Sequence, residues 1–366
     1  MTVTTAAVAR EVGSPFSIEA LELEQPRSDE VRVRLVAVGI CHTDVNCRNQ
    51  VYDVRFPIVL GHKGASVVEE IGESVEGLAI GDHVVLGYSS CGHCEQCRGG
   101  HPAFCPEVFS LNLLGNRADG SSAFAAGVRS HFFGQYSSAT RAVVPARNIA
   151  RVPVEAPLDL LGPLGCGIQT GAGAVLRSLK VHVGSSLVIF GAGAVGLSAL
   201  MAGMLAGAYP IVVVDRIASR LELARELGAT ATVDAGAGEP VEEIRRLTAG
   251  GADFAIEAAG APPAFRQAVA ALGPRGMCGL VGAVGAGVEG SFDWLHVQMN
   301  GITIRGVIEG DSIPADFIPE LVDLQRRGKF PLEKLVRFYD FDEINQAIED
   351  AEEGGVVKPI LRMPSA

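Results

Sequence analysis

Between residues 187 and 281, short apolar runs alternate with Ala- and Leu-rich stretches of helical period, and this rhythm constrains the fold of the 366-residue chain most. The strand candidates are 187–190, 211–214, 231–233, 254–257 and 277–281, with helices expected near 194–207, 218–227, 240–249 and 263–272. Strands separated by helices of roughly ten to fifteen residues must run parallel, because each crossover carries the chain back to the starting end of the sheet. The crossovers cover both faces, so the strands read as continuously apolar.

The flanks read differently. In the first 150 or so residues short β-rich runs (31–38, 67–71, 83–86) are punctuated by Gly39 and by Gly-Glu, Gly-Leu and Gly-Asp pairs. The last sixty or so residues return to mixed strand and amphipathic helix, with helices expected at 318–327 and 341–352. The expected plan is an α/β chain in three stretches. Residues 1–167 form a β-rich domain, 168–305 an inserted doubly wound parallel sheet, and 306–366 fold back onto the first. A formal net charge of −12 argues against nucleic-acid and anionic-membrane partners. No run of about 18 apolar residues suggests a membrane span, and the N-terminal residues lack the apolar core of a secretory leader. A cytoplasmic location is expected.

The run 187–190 leads directly into Gly191-Ala-Gly193-Ala-Val195-Gly196, a helical stretch follows, and Asp215 ends the next strand. A GxGxxG alone is weak, but strand, turn, helix and a downstream acid are the context that a dinucleotide requires. Gly191 allows the tight turn, Gly193 the approach of the pyrophosphate and Gly196 the close packing of helix on strand. The helix N-terminus offers free N–H groups to the anion. Asp215 would accept from the ribose hydroxyls and repel a 2′-phosphate, favouring NAD over NADP, with Arg216 able to blunt that repulsion. The bland alternative is a glycine turn that packs a helix on a sheet and binds nothing.

Cys91, Cys94, Cys97 and Cys105 take half of the chain's 8 cysteines into one C-x2-C-x2-C-x7-C run. Four thiolates can close a tetrahedral zinc site, and with every position filled such a site is structural. Disulfides are the rival in an oxidising compartment.

Three further motifs are Gly39-Ile-Cys41-His42-Thr43-Asp44, Leu60-Gly-His62-Lys63-Gly-Ala and Gly165-Cys166-Gly-Ile-Gln-Thr170-Gly. With the cysteine run and the GAGAVG turn, these resemble, in order and over nearly the whole chain, the zinc-dependent medium-chain alcohol dehydrogenases. The Gly165 and Glu309-Gly-Asp-Ser-Ile-Pro stretches look most like the aryl (benzyl) alcohol dehydrogenase branch. The resemblance implies a GroES-like catalytic domain with a Rossmann-type insertion, two zinc ions and NAD. It makes Cys41, His62 and Cys166 the catalytic zinc ligands, an open three-ligand set suited to a Lewis acid. It makes Thr43 the first proton relay, and Asp44 the partner that fixes the His62 tautomer. His42 and Lys358 match positions at the pyrophosphate, where a solvated surface charge is the rival reading. Val195 and Thr170 match positions on the nicotinamide face, where plain packing is the rival. The implied partners are a small alcohol or aldehyde and further copies of the chain, as a homodimer or homotetramer.

The chain departs from that pattern in two places. Relatives carry glutamate after the zinc-ligand histidine, and this chain carries Lys63. Such a lysine could turn away to a carboxylate, favour an anion at the metal, or weaken the hold on zinc. Many relatives place a proton-delivering histidine where this chain has Asn46, which cannot act as a base near neutral pH. Gly87 matches a position that is bulky and aromatic in several small-alcohol enzymes, so space for an aryl or terpenoid group is expected there, lined by Leu113, Phe132 and Phe133. The activity expected is oxidation of a bulky or aromatic primary alcohol by NAD. A thiol-adduct (formaldehyde-type) dehydrogenase and a relative impaired at the catalytic metal by Lys63 are the alternatives.

Overall fold

The computed structural model describes residues 2–125 and 127–364. It divides into two compact units, one reaching to Cys166 and resuming at Ile313, the other spanning Gly167–Ser312.

In the first unit, β1 (Thr2–Ala9) pairs antiparallel with β2 (Ser17–Leu23) and with β4 (Ile58–Val59). The larger sheet is built around β3 (Glu30–Gly39) and β5 (Gly64–Ile71), followed by β6 (His83–Leu86), β7 (Arg141–Pro145) and β8 (Ile149–Arg151). The side of β3 away from β5 is shared: Glu30 to Arg34 pair with β7, and Ala37 to Gly39 pair with a strand from the C-terminal segment. Val33, Leu35, Val38, Leu60, Val68 and Leu86 are buried in one core, each contributing about 1.5–3 kcal/mol by leaving water. A buried polar tie crosses this core. Arg117 Nε and Nη2 donate to the two Glu30 oxygens at 2.6 and 3.0 Å, and His131 Nε2 lies 3.4 Å from Glu30 Oε1. Burial alone would raise the Glu30 pKa, but His131 and Arg117 outweigh it and hold the carboxyl at about 2.

The second unit carries β9 (Leu187–Phe190), β10 (Ile211–Asp215), β11 (Ala231–Asp234), β12 (Ala252–Glu257), β13 (Leu272–Leu280) and β14 (Thr303–Gly306). All pair in parallel, in the order β11-β10-β9-β12-β13-β14. The strand order reverses between β9 and β12, where doubly wound sheets open a crevice at their C-terminal ends. The chain then returns to the first unit with β15 (Val336–Asp340) and β16 (Lys358–Arg362), and β16 is the strand that completes the shared side of β3.

The units part at 166/167 and 312/313, where the sequence suggested 167/168 and 305/306. The residues after β14 stay with the second unit because they grip its first helix, Gly167–Gly173. Gln169 Nε2 donates to Glu309 Oε2 at 3.1 Å, and Ser312 Oγ donates to the Glu309 carbonyl at 2.7 Å. No helix among the described residues is long and apolar enough to cross a membrane.

Candidate active site

Three separate segments of the first unit bring Cys41, His62 and Cys166 together. Strand β3 ends at Gly39 and delivers Cys41 to the N-terminus of a helix, His42–Arg48. The segment after β4 delivers His62, and the turn Gly162–Gly165 delivers Cys166. Their ligand atoms lie within 4.8 Å of one another. Asp44 joins the first two segments. Its Oδ2 accepts the Cys41 N–H at 3.0 Å, and its Oδ1 accepts the Gly61 N–H and contacts His62 Nδ1, both at 3.0 Å. Asp44 thus combines the capping role with that of partner to the histidine. With Nδ1 engaged, His62 Nε2 is buried and has no hydrogen-bond partner. An orphaned imidazole nitrogen beside two thiols is the donor set that zinc takes, so these residues fit the implied metal. Thr43 Oγ1 lies 3.6 Å from Cys41 Sγ.

Lys63 is 1 % exposed and does not turn to a carboxylate; no ion pair to an acidic side chain involves it among the described residues. The groups that act most on its charge are the Cys41 and Cys166 thiols, with Lys358 acting as well. Burial works to lower the Lys63 pKa, but the Cys41 and Cys166 thiolates outweigh it and hold the ammonium above its ordinary value. Lys358 is 5 % exposed and donates to the Ile40 carbonyl at 2.8 Å, which removes the surface-charge reading for it. Burial first, then the charge of Lys63, brings Lys358 down to about 7. The Cys41 thiol is held well below its usual range, foremost by its hydrogen bond with Cys166 and then by the charges of Lys63 and His62. His42, by contrast, is exposed.

Phe133 stacks on His62 with ring centroids 4.4 Å apart, and Phe132 meets it edge-on at 5.6 Å. His131, Phe133 and Tyr136 have φ of 60°, 52° and 34°, sparsely populated values for such side chains, held here by packing. The space expected above Gly87 is filled. A Cβ there would lie 2.8 Å from Pro314 Cβ, so that glycine accommodates the proline and not a substrate.

Cys91, Cys94, Cys97 and Cys105 bring their sulfurs within 4.8 Å of one another. Cys91 and Cys97 sulfurs are 4.0 Å apart, about twice a disulfide bond, and all eight cysteines are free. The Cys94 and Cys97 amides donate to the sulfurs three residues earlier, and the Cys91 amide to Cys105, each at 3.4 Å. These N–H donors and the convergence of four sulfurs suit a closed four-sulfur metal site.

In the second unit, Gly191 has φ +97°, and a Cβ at Gly196 would lie 1.7 Å from the Gly191 carbonyl oxygen. A Cβ at Gly193 would meet nothing within 4 Å, which leaves the open approach a pyrophosphate needs. The Asp215 carboxylate accepts N–H bonds from Ala192 at 2.6 Å, Arg216 at 2.7 Å and Ile217 at 2.9 Å, which fixes its orientation at the end of β10. Arg216 is exposed, Val195 half-buried and Thr170 buried. Sequence reasoning missed Glu257. It ends β12 beside β9, and its Oε1 accepts from the Ala259 and Gly260 amides at 2.9 and 2.8 Å, shaping the turn that abuts Gly191. A lone acid closing an apolar strand was the available signal.

Residues 27–154 match the family described as alcohol dehydrogenase GroES-like domain, and residues 194–326 the family described as zinc-binding dehydrogenase. The chain is 45% identical over 361 residues to geraniol dehydrogenase of Castellaniella defragrans, covering 97% of this chain and 96% of that one. Among solved structures, an alcohol dehydrogenase zinc-binding domain protein from Burkholderia ambifaria matches at a TM-score of 0.97 with 53% identity over 100% of both chains. Benzyl alcohol dehydrogenase from Acinetobacter calcoaceticus matches at 0.98 with 48% identity, again over 100% of both.

Proposed function

Because this chain belongs to the zinc-binding alcohol dehydrogenase family, we propose that it interconverts a bulky or aromatic primary alcohol and its aldehyde with NAD. Convergence of Cys41, His62 and Cys166 around an unpartnered, buried His62 Nε2 carries this reading. When bound, zinc at these three residues supplies a Lewis acid for the alcohol oxygen, and NAD supplies the hydride acceptor. Asp44 holds His62 at Nδ1 and so presents the lone pair of Nε2. Thr43 takes the proton released by the alcohol. Asn46 cannot pass it on as a base, so solvent receives it.

Phe132 and Phe133 give the metal pocket an aromatic wall, which suits an aryl or terpenoid substrate. The names of the geraniol and benzyl alcohol dehydrogenase relatives support the same class. The cofactor's pyrophosphate is assigned to Gly191, Gly193 and Gly196, its ribose to Asp215 with Arg216 alongside, and its nicotinamide to Val195 and Thr170. His42 and Lys358 are the candidate cations for its phosphates. Cys91, Cys94, Cys97 and Cys105 are assigned the structural zinc.

A homodimer or homotetramer is proposed as well. Its support is the open edge of β14 and, close to it in the chain, Trp294, Leu295 and Met299, which are 75%, 64% and 73% exposed; an unpaired edge beside apolar side chains suits a second copy. Eight free thiols suit the reducing cytoplasm.

The test is NAD reduction driven by benzyl alcohol, geraniol and ethanol, with and without glutathione. The expected result is kcat/KM for the two large alcohols at least ~10-fold above ethanol, independent of glutathione. Activity that requires the thiol would select the formaldehyde-type alternative. An enzyme holding both zinc ions yet inert toward all three alcohols would overturn the proposal.

A further inference from the structure

The aromatic wall beside His62 sits on a turn that the chain could not hold by local preference alone. Within His131–Tyr136 the backbone is left-handed at His131 (φ 60°), Phe133 (52°), Gly134 (67°) and Tyr136 (34°). Three of these four carry a bulky side chain, for which that region is costly, so ties from outside the turn must fix it. Tyr136 fixes the end: its hydroxyl donates to the Val143 carbonyl on β7 at 3.1 Å, and its ring meets Phe124 at 5.0 Å. His131, 2 % exposed, fixes the start. Its Nδ1 lies 2.7 Å from Ser130 Oγ and its Nε2 3.4 Å from Glu30 Oε1. Arg117 grips both Glu30 oxygens and also donates to the Ser122 carbonyl at 3.2 Å and to Glu24 Oε2 at 2.9 Å. Between the two ties stand Phe132 and Phe133, in edge contact at 5.0 Å, with Phe133 stacked on His62.

We propose that Glu30 and Arg117 are positioning residues for alcohol selection: through His131 they hold Phe133 face-on against His62, and so fix the wall that a large alcohol meets. This inference rests on the reading that the pocket oxidises bulky alcohols. Two parallel bonds from one guanidinium fix the orientation of the Glu30 carboxylate as well as its distance. Lysine in place of Arg117 keeps the charge but has no second arm, so Glu30, and with it His131, gains freedom. A turn held in a sparsely populated conformation relaxes when a tie loosens. Phe132 is fully buried and has nowhere to go, whereas Phe133 is only half-buried and has room to leave the His62 face.

The experiment measures kcat/KM for benzyl alcohol and for ethanol in full-length wild type, Arg117→Lys, Phe133→Ala and the variant carrying both changes. Arg117→Lys should lower the ratio of benzyl alcohol to ethanol by about 10-fold, chiefly through KM for benzyl alcohol. In the Phe133→Ala background the same change should leave the ratio unmoved, because the ring through which Arg117 acts is gone. An unchanged ratio in Arg117→Lys, or an effect that persists undiminished without Phe133, would overturn the proposal. Lost stability alone would lower the folded fraction and not the ratio. Should Arg117→Lys fail to fold, Glu30→Gln, which keeps the size of the side chain, takes its place with the same two outcomes. A wild type with no preference for benzyl alcohol would instead mark failure of the functional reading. The visible spectrum of the cobalt-substituted enzyme then decides: Arg117→Lys should shift the bands through the His62 ring, and spectra identical to wild type would overturn the proposal.

Discussion

The two cysteine clusters of the first unit are built in opposite ways. The four-cysteine cluster comes from one stretch of fifteen or so residues, lies partly exposed, and stabilises its sulfurs with N–H donors from its own backbone. The three-ligand cluster comes from three distant segments and surrounds a fully buried histidine. A closed local site can act as a staple with little help from the surrounding fold. An open site depends on the whole unit for its geometry, and its neighbours can tune it.

That contrast is open to attack by mutation. Cys166→Ser should remove the catalytic zinc and lower alcohol oxidation by about a thousandfold or more, equivalent to ~4 kcal/mol in the barrier, while the zinc of the four-cysteine site stays. Loss of both ions, read by elemental analysis, would show that the sites are not independent. Asp44→Asn should lower zinc affinity or kcat/KM by about 10–100-fold by releasing the His62 tautomer, measured by chelator competition and steady-state kinetics. Cys97→Ala should act through stability: a loss of about 2 kcal/mol or more, on the order of 4–8 °C in Tm, with the specific activity of the surviving folded enzyme little changed. The smallest effect concerns the scaffold that the two sites share. The Glu30 carboxyl is held at about 2 against an ordinary 4.5, so its stabilisation is full above pH 4.5 and is lost as pH falls from 4.5 toward 2. Acid unfolding of Glu30→Gln should lack that component, while its neutral-pH zinc content stays at two per chain.

Legibility in the sequence followed locality. The parallel series was readable because each strand of 187–281 is apolar and bounded by a helix, and β9 falls at its expected residues. The edge strand β14, Thr-Ile-Arg-Gly, was not, since a strand half-exposed at an edge carries no continuous apolar run. The helix Gly167–Gly173 escaped for another reason. Its glycines have poor helix propensity, yet a Cβ at Gly171 would lie 2.0 Å from the Val195 carbonyl oxygen, so close helix packing requires them. In the site, motif context named the seven residues whose ligand atoms the fold brings together in two clusters, but their surroundings came only from the fold. Nothing local in Lys63 or Lys358 indicates that two lysines 295 apart in sequence would both be buried. Gly87 misled because an absent side chain is not an empty space until Pro314 is placed.

The most direct test of the account is a zinc-edge anomalous difference map from crystals of the wild-type enzyme. Two peaks per chain are predicted, one enclosed by Cys91, Cys94, Cys97 and Cys105 and one bounded by Cys41, His62 Nε2 and Cys166 on the side away from Asp44. A single peak at the four-cysteine site, from protein grown with ample zinc, would contradict it.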